Sequence, residues 1–463
     1  MLMKGLHIHK LTLRFCQWTL QVGVAVLLGT GAAASGAESV LPPGSSHTAA
    51  RNVYSTCKSC QNCHEAAYDQ HVQSMHSRSF SNPVFQAQYT KDILPLALQG
   101  GEMFHEARSC VSCHAPVAYK QSGARLVLPD PLTASQSSVT CDFCHTIGGF
   151  KGSEPGNANY LTQPGPTKLG PFLTRTDWHH QYSELQTRSE FCAICHSVRN
   201  RLGLDIKSTY AEWKESRHAK EGIQCQDCHM NVNGFLTAGR PVHASGVAAE
   251  MSLGTAPHRE KLYTHRFQGA RSHSQIEGAI SLQFDTEGLA PVPGQKLRVV
   301  LKVDNSRTGH KMPSGSVELR FMWLDVYAEA GGERVPLVPV QGAGDSLFDL
   351  SGAHEELDLG TGVPAGRRIY RTLLSDSEGG ATLAFYDAAS ILFDNRLNAS
   401  EVREESYQFT VPGTAAAPVK LVAAMYYQAY PDSFATRLGL AKSEPIRVAG
   451  AAAELSAAVP NVP

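Results

Sequence analysis

The sequence predicts an α+β protein of several domains, in which a mainly helical and loop-rich domain precedes an antiparallel β-sandwich. Ten of the 12 cysteines belong to five copies of one short motif between residues 60 and 229, and no cysteine follows Cys228. From about residue 276, short segments rich in β-branched and aromatic residues alternate with turn residues, a pattern typical of sandwiches. The predicted boundaries are 1–37 for an N-terminal segment, 38–275 for the motif-bearing domain, 276–450 for the β-sandwich and 451–463 for a flexible tail. One helical segment near 388–397 is expected to interrupt the sandwich.

The N-terminal segment has the three parts of a signal peptide. Lys4, Lys10 and Arg14 precede an apolar run that is densest from Val22 to Leu28, and small residues follow as far as Ala37. A retained membrane anchor is the alternative, but polar residues and glycines dilute the run. Since no later stretch is long and apolar enough to cross a bilayer, we expect export to the periplasm or the outer cell surface. After cleavage of residues 1–37 no membrane span would remain.

The charge balance argues against a nucleic-acid-binding protein. The chain has 41 Lys and Arg against 42 Asp and Glu, a formal charge of −1. Loss of residues 1–37 would remove three cations and no acid, leaving 38 basic against 42 acidic residues, or −4. A chain without a basic excess does not attract a phosphate backbone.

Five Cys-x-x-Cys-His motifs carry the chemistry of the predicted first domain. They are Cys60/Cys63/His64, Cys110/Cys113/His114, Cys141/Cys144/His145, Cys192/Cys195/His196 and Cys225/Cys228/His229. Composition alone would give roughly 0.01 matches to such a motif by chance. Two thiols three residues apart can bond the two vinyl-derived carbons on one porphyrin edge, and the next residue then lies under the iron as an axial ligand. The sequence therefore predicts five covalently bound haem c groups.

Zinc binding is the alternative interpretation of paired cysteines. Zinc sites combine one Cys-x-x-Cys pair with a second ligand pair elsewhere and do not require a histidine directly after each pair. The histidine that follows all five pairs favours haem.

Cys57 is the one cysteine of the expected mature chain outside the five motifs, and it lies three residues before Cys60. Three interpretations stay open: a spare thiol, an alternative attachment point for the first haem, or a link to another chain.

The spacing of the motifs suggests how the haems are grouped. The first cysteines fall at 60, 110, 141, 192 and 225, so steps of 50, 31, 51 and 33 residues alternate. We interpret this as one haem followed by two pairs, the second with the third and the fourth with the fifth. A domain made from residues 57–229 has a radius of gyration of about 16 Å, so five haems in it must nearly touch and themselves form its core. Serial electron transfer requires such close packing.

The number of available histidines bears on whether each haem iron can have a second protein ligand. A second axial histidine gives an electron-transfer site, whereas an empty position leaves room for substrate. Of 20 histidines, two precede the expected cleavage site and five belong to the motifs, leaving 13. The candidates for the second ligand are His76, His180, His218, His265 and His310. Reserves are His71, His105, His243, His258 and His273, with Met75, Met103 and Met230 as less favoured ligands.

Local context selects these candidates. His76 and His218 end two similar segments, Tyr68-x5-Ser-Met-His76 and Tyr210-x5-Ser-Arg-His218. His179 adjoins His180, so we expect only one of the two to bind iron. The loop 305–315 of the second domain holds His310 between glycines and a proline that favour a rigid turn. A ligand from this loop would tie the two domains together; an exposed loop histidine is the alternative.

Several segments around the motifs carry a family resemblance. They are Cys60-Gln-Asn-Cys-His with Tyr68-x5-Ser-Met-His76, Cys110-Val-Ser-Cys-His-Ala-Pro116, Val139-Thr-Cys-Asp-Phe-Cys-His-Thr-Ile147, Tyr210-Ala-Glu-Trp213 leading into Gly222-Ile-Gln-Cys-Gln-Asp-Cys-His-Met230, Thr264-His-Arg-Phe-Gln-Gly269 and Thr308-Gly-His-Lys-Met-Pro313. With them the chain resembles the multihaem cytochromes related to the tetrahaem cytochrome c of ammonia oxidisers, over roughly residues 55–430. It looks like the two-domain members typical of metal-respiring bacteria.

The resemblance implies electron transfer in periplasmic or extracellular respiration, with other redox proteins such as periplasmic or outer-membrane cytochromes as partners. It also raises an alternative, because nitrite, hydroxylamine and tetrathionate enzymes are more distant relatives: a multihaem oxidoreductase with one open haem that acts on a small nitrogen or sulfur compound. No Cys-x-x-Cys-Lys occurs to supply the lysine-ligated haem of the usual nitrite reductases. The chain departs from the tetrahaem carrier in haem number and in its sandwich, so that carrier's second ligands do not transfer.

Overall fold

The computed structural model describes residues 53–456 except 124, 127, 129–131, 174–179, 234–239, 251–255, 358 and 414–417. The predicted signal peptide, residues 1–37, therefore lies outside the described residues. The described residues form one compact unit by their contacts, and this unit contains the described parts of both predicted domains, 38–275 and 276–450. Among the described residues, no helix is long and apolar enough to cross a membrane.

Short helices dominate the N-terminal part. They are α1 (Cys57–Gln61), α2 (Glu65–Gln73), α3 (Pro83–Gln88), α4 (Leu94–Ala97), α5 (Glu102–His114), α6 (Pro116–Ser122), α7 (Cys141–Cys144), α8 (Ser189–His196), α9 (Thr209–Lys214), α10 (Arg217–Lys220), α11 (Cys225–His229) and α12 (His273–Ile276). Their starts follow sequence rules: Asn82 accepts from Val84 N at the start of α3, and Thr140 accepts from Phe143 N at the start of α7. Isolated helices this short are marginal in water, so packing must hold them.

Small two-stranded sheets connect these helices. Antiparallel pairs are β1 (Ile147–Phe150) with β2 (Tyr160–Thr162), β5 (Val198–Arg199) with β6 (Asp205–Lys207), and β7 (Ala244–Val247) with β8 (His258–Leu262). One pair is parallel, β3 (Lys168–Gly170) with β4 (His180–Tyr182).

Two antiparallel sheets form the C-terminal part, as the sequence predicts. Their strands are β9 (Ser281–Asp285), β10 (Lys296–Asp304), β11 (Phe321–Ala330), β12 (Glu333–Pro336), β13 (Val338–Pro339), β14 (Ile369–Ser375), β15 (Ala381–Thr382), β16 (Ser390–Asp394), β17 (Val402–Thr410), β18 (Val419–Gln428) and β19 (Ile446–Leu455). One sheet has the order β13-β17-β10-β9; the other has the order β15-β14-β11-β18-β19, with β12 beside β11 and β16 beside β14. Helices α13 (Gly352–Glu355) and α14 (Asp432–Leu438) lie between strands.

Alternating side chains build the core between the sheets. Val299, Leu301 and Val303 of β10 are fully buried and belong to one cluster with Leu324 and Val326 of β11. Because successive side chains of a strand point to opposite faces, this period of two places one face of each sheet in the core.

Apolar and polar contacts join the N-terminal part to the sandwich. Ala87 of α3 packs in one cluster with Leu373 of β14 and Phe434 of α14. Asn200 donates from its amide nitrogen to the carbonyl oxygens of Phe385 (2.8 Å) and Ala388 (2.7 Å). The two parts therefore share buried surface.

Two expectations in the C-terminal part are wrong. The segment 388–397 is not helical, because Ser390–Asp394 form β16, which pairs with β14. The flexible tail does not begin at residue 451, because β19 continues to Leu455, which lies opposite Val419 of β18. Ala451 and Ala453 pack against the core between the sheets, so the small residues that suggest a loose tail also fit a close sheet contact. Residues 457–463 lie outside the described residues.

Candidate haem-binding centre

Each motif lies on a helical turn or at the end of one. Helices α5, α8 and α11 end at the motif histidines His114, His196 and His229, α7 spans Cys141–Cys144, and the first motif begins within α1. Residues i and i+3 of a helix share a face. Both cysteines of a motif can therefore reach the same edge of one porphyrin.

Cys63 differs from the other motif cysteines in its exposure. It is exposed, whereas the other nine motif cysteines are partly buried. The first motif lies near the start of the described chain, and the third motif approaches it on the side of Cys60, so the protein covers that side and leaves Cys63 at the surface. Its backbone is nevertheless held, since the Cys63 carbonyl oxygen accepts from Glu250 N at 2.9 Å. Cys63 therefore stays a predicted attachment point, and it lies at the surface.

Backbone carbonyls orient four of the five motif histidines. The Nδ1 atoms of His64, His114, His145 and His229 lie 2.6–2.9 Å from the carbonyl oxygens of Ala248, Ser79, Leu169 and Gln268. A carbonyl oxygen only accepts, so each Nδ1 carries the proton and donates it. The lone pair of the neutral ring is then on Nε2, and such a hydrogen bond fixes the tautomer and orientation that a metal-binding histidine needs.

Three predicted second ligands face motif histidines. The ring centroids are 6.1 Å apart for His76 and His196, 6.3 Å for His265 and His145, and 6.3 Å for His310 and His229. An imidazole nitrogen lies about 2 Å from a first-row metal ion, so two imidazoles on opposite sides of one iron have centroids about 6 Å apart. The three pairs fit one iron each.

Burial keeps His76, His265 and the three facing motif histidines neutral. Desolvation lowers the pKa of His76 and of His265 to about 3, and that of His196 to about 4. Desolvation also lowers the pKa of His145 and His229, against the hydrogen bonds from their Nδ1 atoms. Only the neutral ring offers a lone pair to a metal, so these rings are held in the form that binds iron.

The other two predicted ligands do not face a motif histidine in this way. His180 has its Nε2 atom 2.7 Å from the carbonyl oxygen of Phe172, and its neighbour His179 lies outside the described residues. His218 is buried beside Gly309, where a Cβ atom would lie 3.3 Å from the His218 Cβ atom. Within the described part of the chain, neither ring has a ring contact with a motif histidine.

The surroundings of His114 differ from those of the three paired sites. Phe85 stacks on the His114 ring with centroids 3.9 Å apart and an interplanar angle of 13°. In the part of the chain that the structure describes, no histidine ring contacts His114. Besides burial, the Lys207 charge lowers the pKa of His114, to about 4 in all, so that ammonium lies near this site.

Cysteines of different motifs face each other. The Cys141 thiol of the third motif interacts with Cys60 of the first, Cys195 of the fourth with Cys113 of the second, and Cys192 of the fourth with Cys225 of the fifth. The expected neighbours four and five are thus adjacent. Among the described cysteines, those of the second and third motifs do not face each other, but Val117 after the second motif packs with Phe143 of the third. The pairing of these two haems stays a prediction. All five motifs join one group, since Cys144 of the third motif lies close enough to Cys192 and Cys195 of the fourth to raise their pKa values.

The His310 loop is held by a residue of the first domain that the sequence did not reveal. Glu212 of α9 accepts from the backbone nitrogen of Lys311 (3.3 Å) and from the hydroxyl of Ser314 (2.8 Å). The same carboxylate accepts from Arg396 at 2.9 Å. No local pattern marks this set, because its members come from three distant segments.

Comparison with known proteins agrees with this geometry. The family model described as cytochrome c554 and c-prime matches residues 59–146, and the model of the NapC/NirT cytochrome c family, N-terminal region, matches residues 173–279. A search of curated proteins gave no match.

Among solved structures, a penta-haem cytochrome c552 from Thermochromatium tepidum is similar in fold. The match covers 87% of this chain and 99% of that chain, with 19% sequence identity and a TM-score of 0.61. Spo0M of Bacillus subtilis covers 39% of this chain and 49% of its own, with 9% identity and a TM-score of 0.16, which is too low to carry an argument. The motifs, the family models and the fold together define a multihaem c-type cytochrome.

Proposed function

We propose that the chain binds five haem c groups covalently and transfers electrons between other redox proteins in the periplasm or at the outer cell surface. The observation that carries this proposal is the adjacency of the five motifs, whose cysteines face one another in a single compact unit. When bound, each haem supplies an iron that takes up and releases one electron.

In this proposal the motif cysteines attach the porphyrins and the motif histidines bind the irons from one side. The Nδ1 hydrogen bonds to carbonyl oxygens support this role, because they leave Nε2 free for a metal. His76, His265 and His310 would bind the other side at the fourth, third and fifth sites. Their centroid distances of 6.1–6.3 Å support this assignment. His180 and His218 remain predicted second ligands of the other two sites.

The surface position of Cys63 suits an exchange of electrons with partners. A haem attached there would have one edge at the surface of the protein, where another redox protein can approach it. The first site is therefore the proposed entry or exit point of the row.

Export is the part of the proposal that rests on sequence alone. Residues 1–37 have the composition of a signal peptide. Haem attachment itself can be tested by producing the full chain in a host that matures c-type cytochromes. We expect the intact mass of the secreted protein to equal the chain without residues 1–37 plus five haems. Fewer than five haems, or a retained N-terminus, would contradict these two parts separately.

A direct test of the carrier function is reduction of the oxidised protein by substoichiometric electron donor. We expect electrons to distribute over all sites within the mixing time, so that spectra at increasing donor follow one set of potentials. A fraction of haem whose redox state continues to change long after mixing would indicate an isolated site and would oppose the proposal.

His114 favours a second candidate function, an oxidoreductase with one open haem acting on a small nitrogen or sulfur compound. Phe85, rather than a histidine, is the ring that contacts His114 in the described part of the chain. An iron with no second protein ligand can bind substrate. If nitrite or hydroxylamine shifts the spectrum of a high-spin haem, and H114A removes that shift, the enzyme is favoured over the pure carrier.

A further inference from the structure

A cluster that joins Cys57 and His71 to the motif cysteine Cys141 lies where the first and third motifs meet. Cys57 begins α1, His71 lies in α2, and Cys141 begins α7. The Sγ atoms of Cys57 and Cys141 and one ring nitrogen of His71 all lie within 4.8 Å of one another. Three potential ligand atoms thus converge, and two of them, from Cys57 and His71, have no assigned role in the proposed haem attachment.

The hydrogen bonding of His71 shows which of its ring nitrogens can bind a ligand. Its side chain is buried, with 4% of the residue exposed, and its Nε2 atom lies 2.9 Å from the carbonyl oxygen of Val139. Because a carbonyl only accepts, Nε2 carries the proton, and the lone pair of the neutral ring is on Nδ1. That Nδ1 atom is buried and has no hydrogen-bond partner at ordinary distance. Burial lowers the pKa of His71, but the neighbouring Cys57 side chain and the Val139 carbonyl together outweigh burial and raise it. A buried acceptor without a full hydrogen bond costs about 1–3 kcal/mol, so it marks a position at which a ligand would be stabilising.

We propose that Cys57 and His71, assisted by the Cys141 sulfur, form a binding site for one soft monovalent metal ion, with Cu(I) as the natural occupant. A thiolate and a thioether are soft ligands that select Cu(I), and imidazole also suits copper. Zinc is less suited, because its structural sites take four thiolate, imidazole or carboxylate ligands. The Cys141 sulfur is a thioether only if this cysteine carries haem, so that part rests on the proposed function.

The distances allow such a site. Sulfur and nitrogen ligands lie about 2.3 Å and 2.0 Å from a first-row metal, so they are at most about 4.3 Å apart when both bind it. The three ligand atoms lie within 4.8 Å of one another, so a shift of about 0.5 Å or less would bring a sulfur and the ring nitrogen to binding distance of one ion. His71 has no ring contact with a motif histidine within the described residues, which separates it from His76, His265 and His310.

The test uses the haem-loaded full chain, reduced with ascorbate under anaerobic conditions and titrated with Cu(I) against a chromophoric Cu(I) chelator. We expect the protein to retain one equivalent of copper, C57S to retain none, and H71N to bind at least tenfold more weakly. H105A, which removes an exposed histidine elsewhere, should bind like the original protein. The intact mass of each variant should still show five haems.

Three results would overturn the site: no retained copper in the original protein, equal retention by C57S, or unchanged affinity in H71N. Loss of one haem in C57S would also overturn it, because Cys57 would then be an attachment point. A low haem count in the original protein contradicts the proposed function, whereas normal haem with no copper contradicts only the metal site.

Discussion

Glu212 and Arg396 form a buried ion pair across the junction between the motif-bearing part and the sandwich, with an oxygen-to-nitrogen distance of 2.9 Å. Their side chains are 7% and 3% exposed. Arg396 also bonds Asp394, and Glu212 also bonds the loop that carries His310. The pair thus connects a strand end of the sandwich, a helix of the first part and a proposed iron ligand.

Removing the charge of Glu212 should destabilise the protein. E212Q leaves the buried guanidinium of Arg396 with Asp394 as its one carboxylate partner among the ion pairs of the described residues. Breaking a buried pair from one side costs about 3 kcal/mol, which urea unfolding followed by circular dichroism would measure. The matched control is E154Q, whose partner Lys214 is exposed; we expect it to change stability by less than about 0.5 kcal/mol. Equal effects of the two variants would contradict this account of the junction.

Loss of the His310 side chain should change the spin state of one haem iron and leave the other haems unchanged. In H310A we expect one low-spin haem signal to be replaced by a high-spin signal, because His229 would lose the ring that lies 6.3 Å away. Electron paramagnetic resonance of the oxidised protein measures this change. H273A provides the control, since His273 is exposed and pairs with Glu277. An unchanged spectrum in H310A would remove His310 from the set of ligands.

Close packing should make the loop that carries His310 sensitive to substitution of Gly309. A Cβ atom there would lie 3.2 Å from Trp213 Cδ1 and 3.3 Å from His218 Cβ, tighter than ordinary contacts. G309A should cost about 1 kcal/mol and produce a smaller amount of the high-spin signal expected for H310A. At Gly344 a Cβ atom would meet nothing within 4 Å, so G344A should leave both stability and spectrum unchanged. A normal spectrum in G309A would indicate that the loop can shift without moving His310.

Acid should weaken the junction through Asp394. Burial raises the pKa of Asp394, but hydrogen bonds and charge from Arg396 and Lys311 outweigh burial and lower it from 3.8 to about 2. A carboxylate with a lowered folded-state pKa stabilises the protein above its ordinary pKa, and that contribution is lost as the pH falls from about 4 to about 2. The difference in unfolding free energy between the original protein and D394N should therefore shrink over this range. A difference that stays constant with pH would contradict the assignment.

Local chemistry explains what the sequence could predict. Each of the five motifs lies within five consecutive residues, so it can be recognised directly in the sequence. The strands of the sandwich can be predicted from their β-branched and aromatic residues and the turn residues between them. His76 and His310 are predicted as second ligands because one ends a repeated segment and the other lies in a Gly- and Pro-rich loop, and each ring faces a motif histidine.

Long-range packing explains what the sequence could not predict. The partner of each candidate ligand, such as His196 for His76, depends on how distant helices meet. The same holds for Glu212 and Arg396, and for the contact of the first motif with the third, which covers Cys60 but not Cys63. The alanines of β19 led to the wrong prediction of a flexible tail from residue 451, because small residues suit both a loose tail and a close sheet contact.

The central claim is that this multihaem cytochrome carries electrons through irons that are closed on both sides. The most direct measurement is quantitative low-temperature electron paramagnetic resonance of the oxidised protein whose mass shows five haems, before and after addition of nitrite or hydroxylamine. We predict low-spin signals that account for the haem content and do not change on addition. A substantial high-spin signal that shifts with either compound would contradict the claim and favour an open catalytic haem at His114.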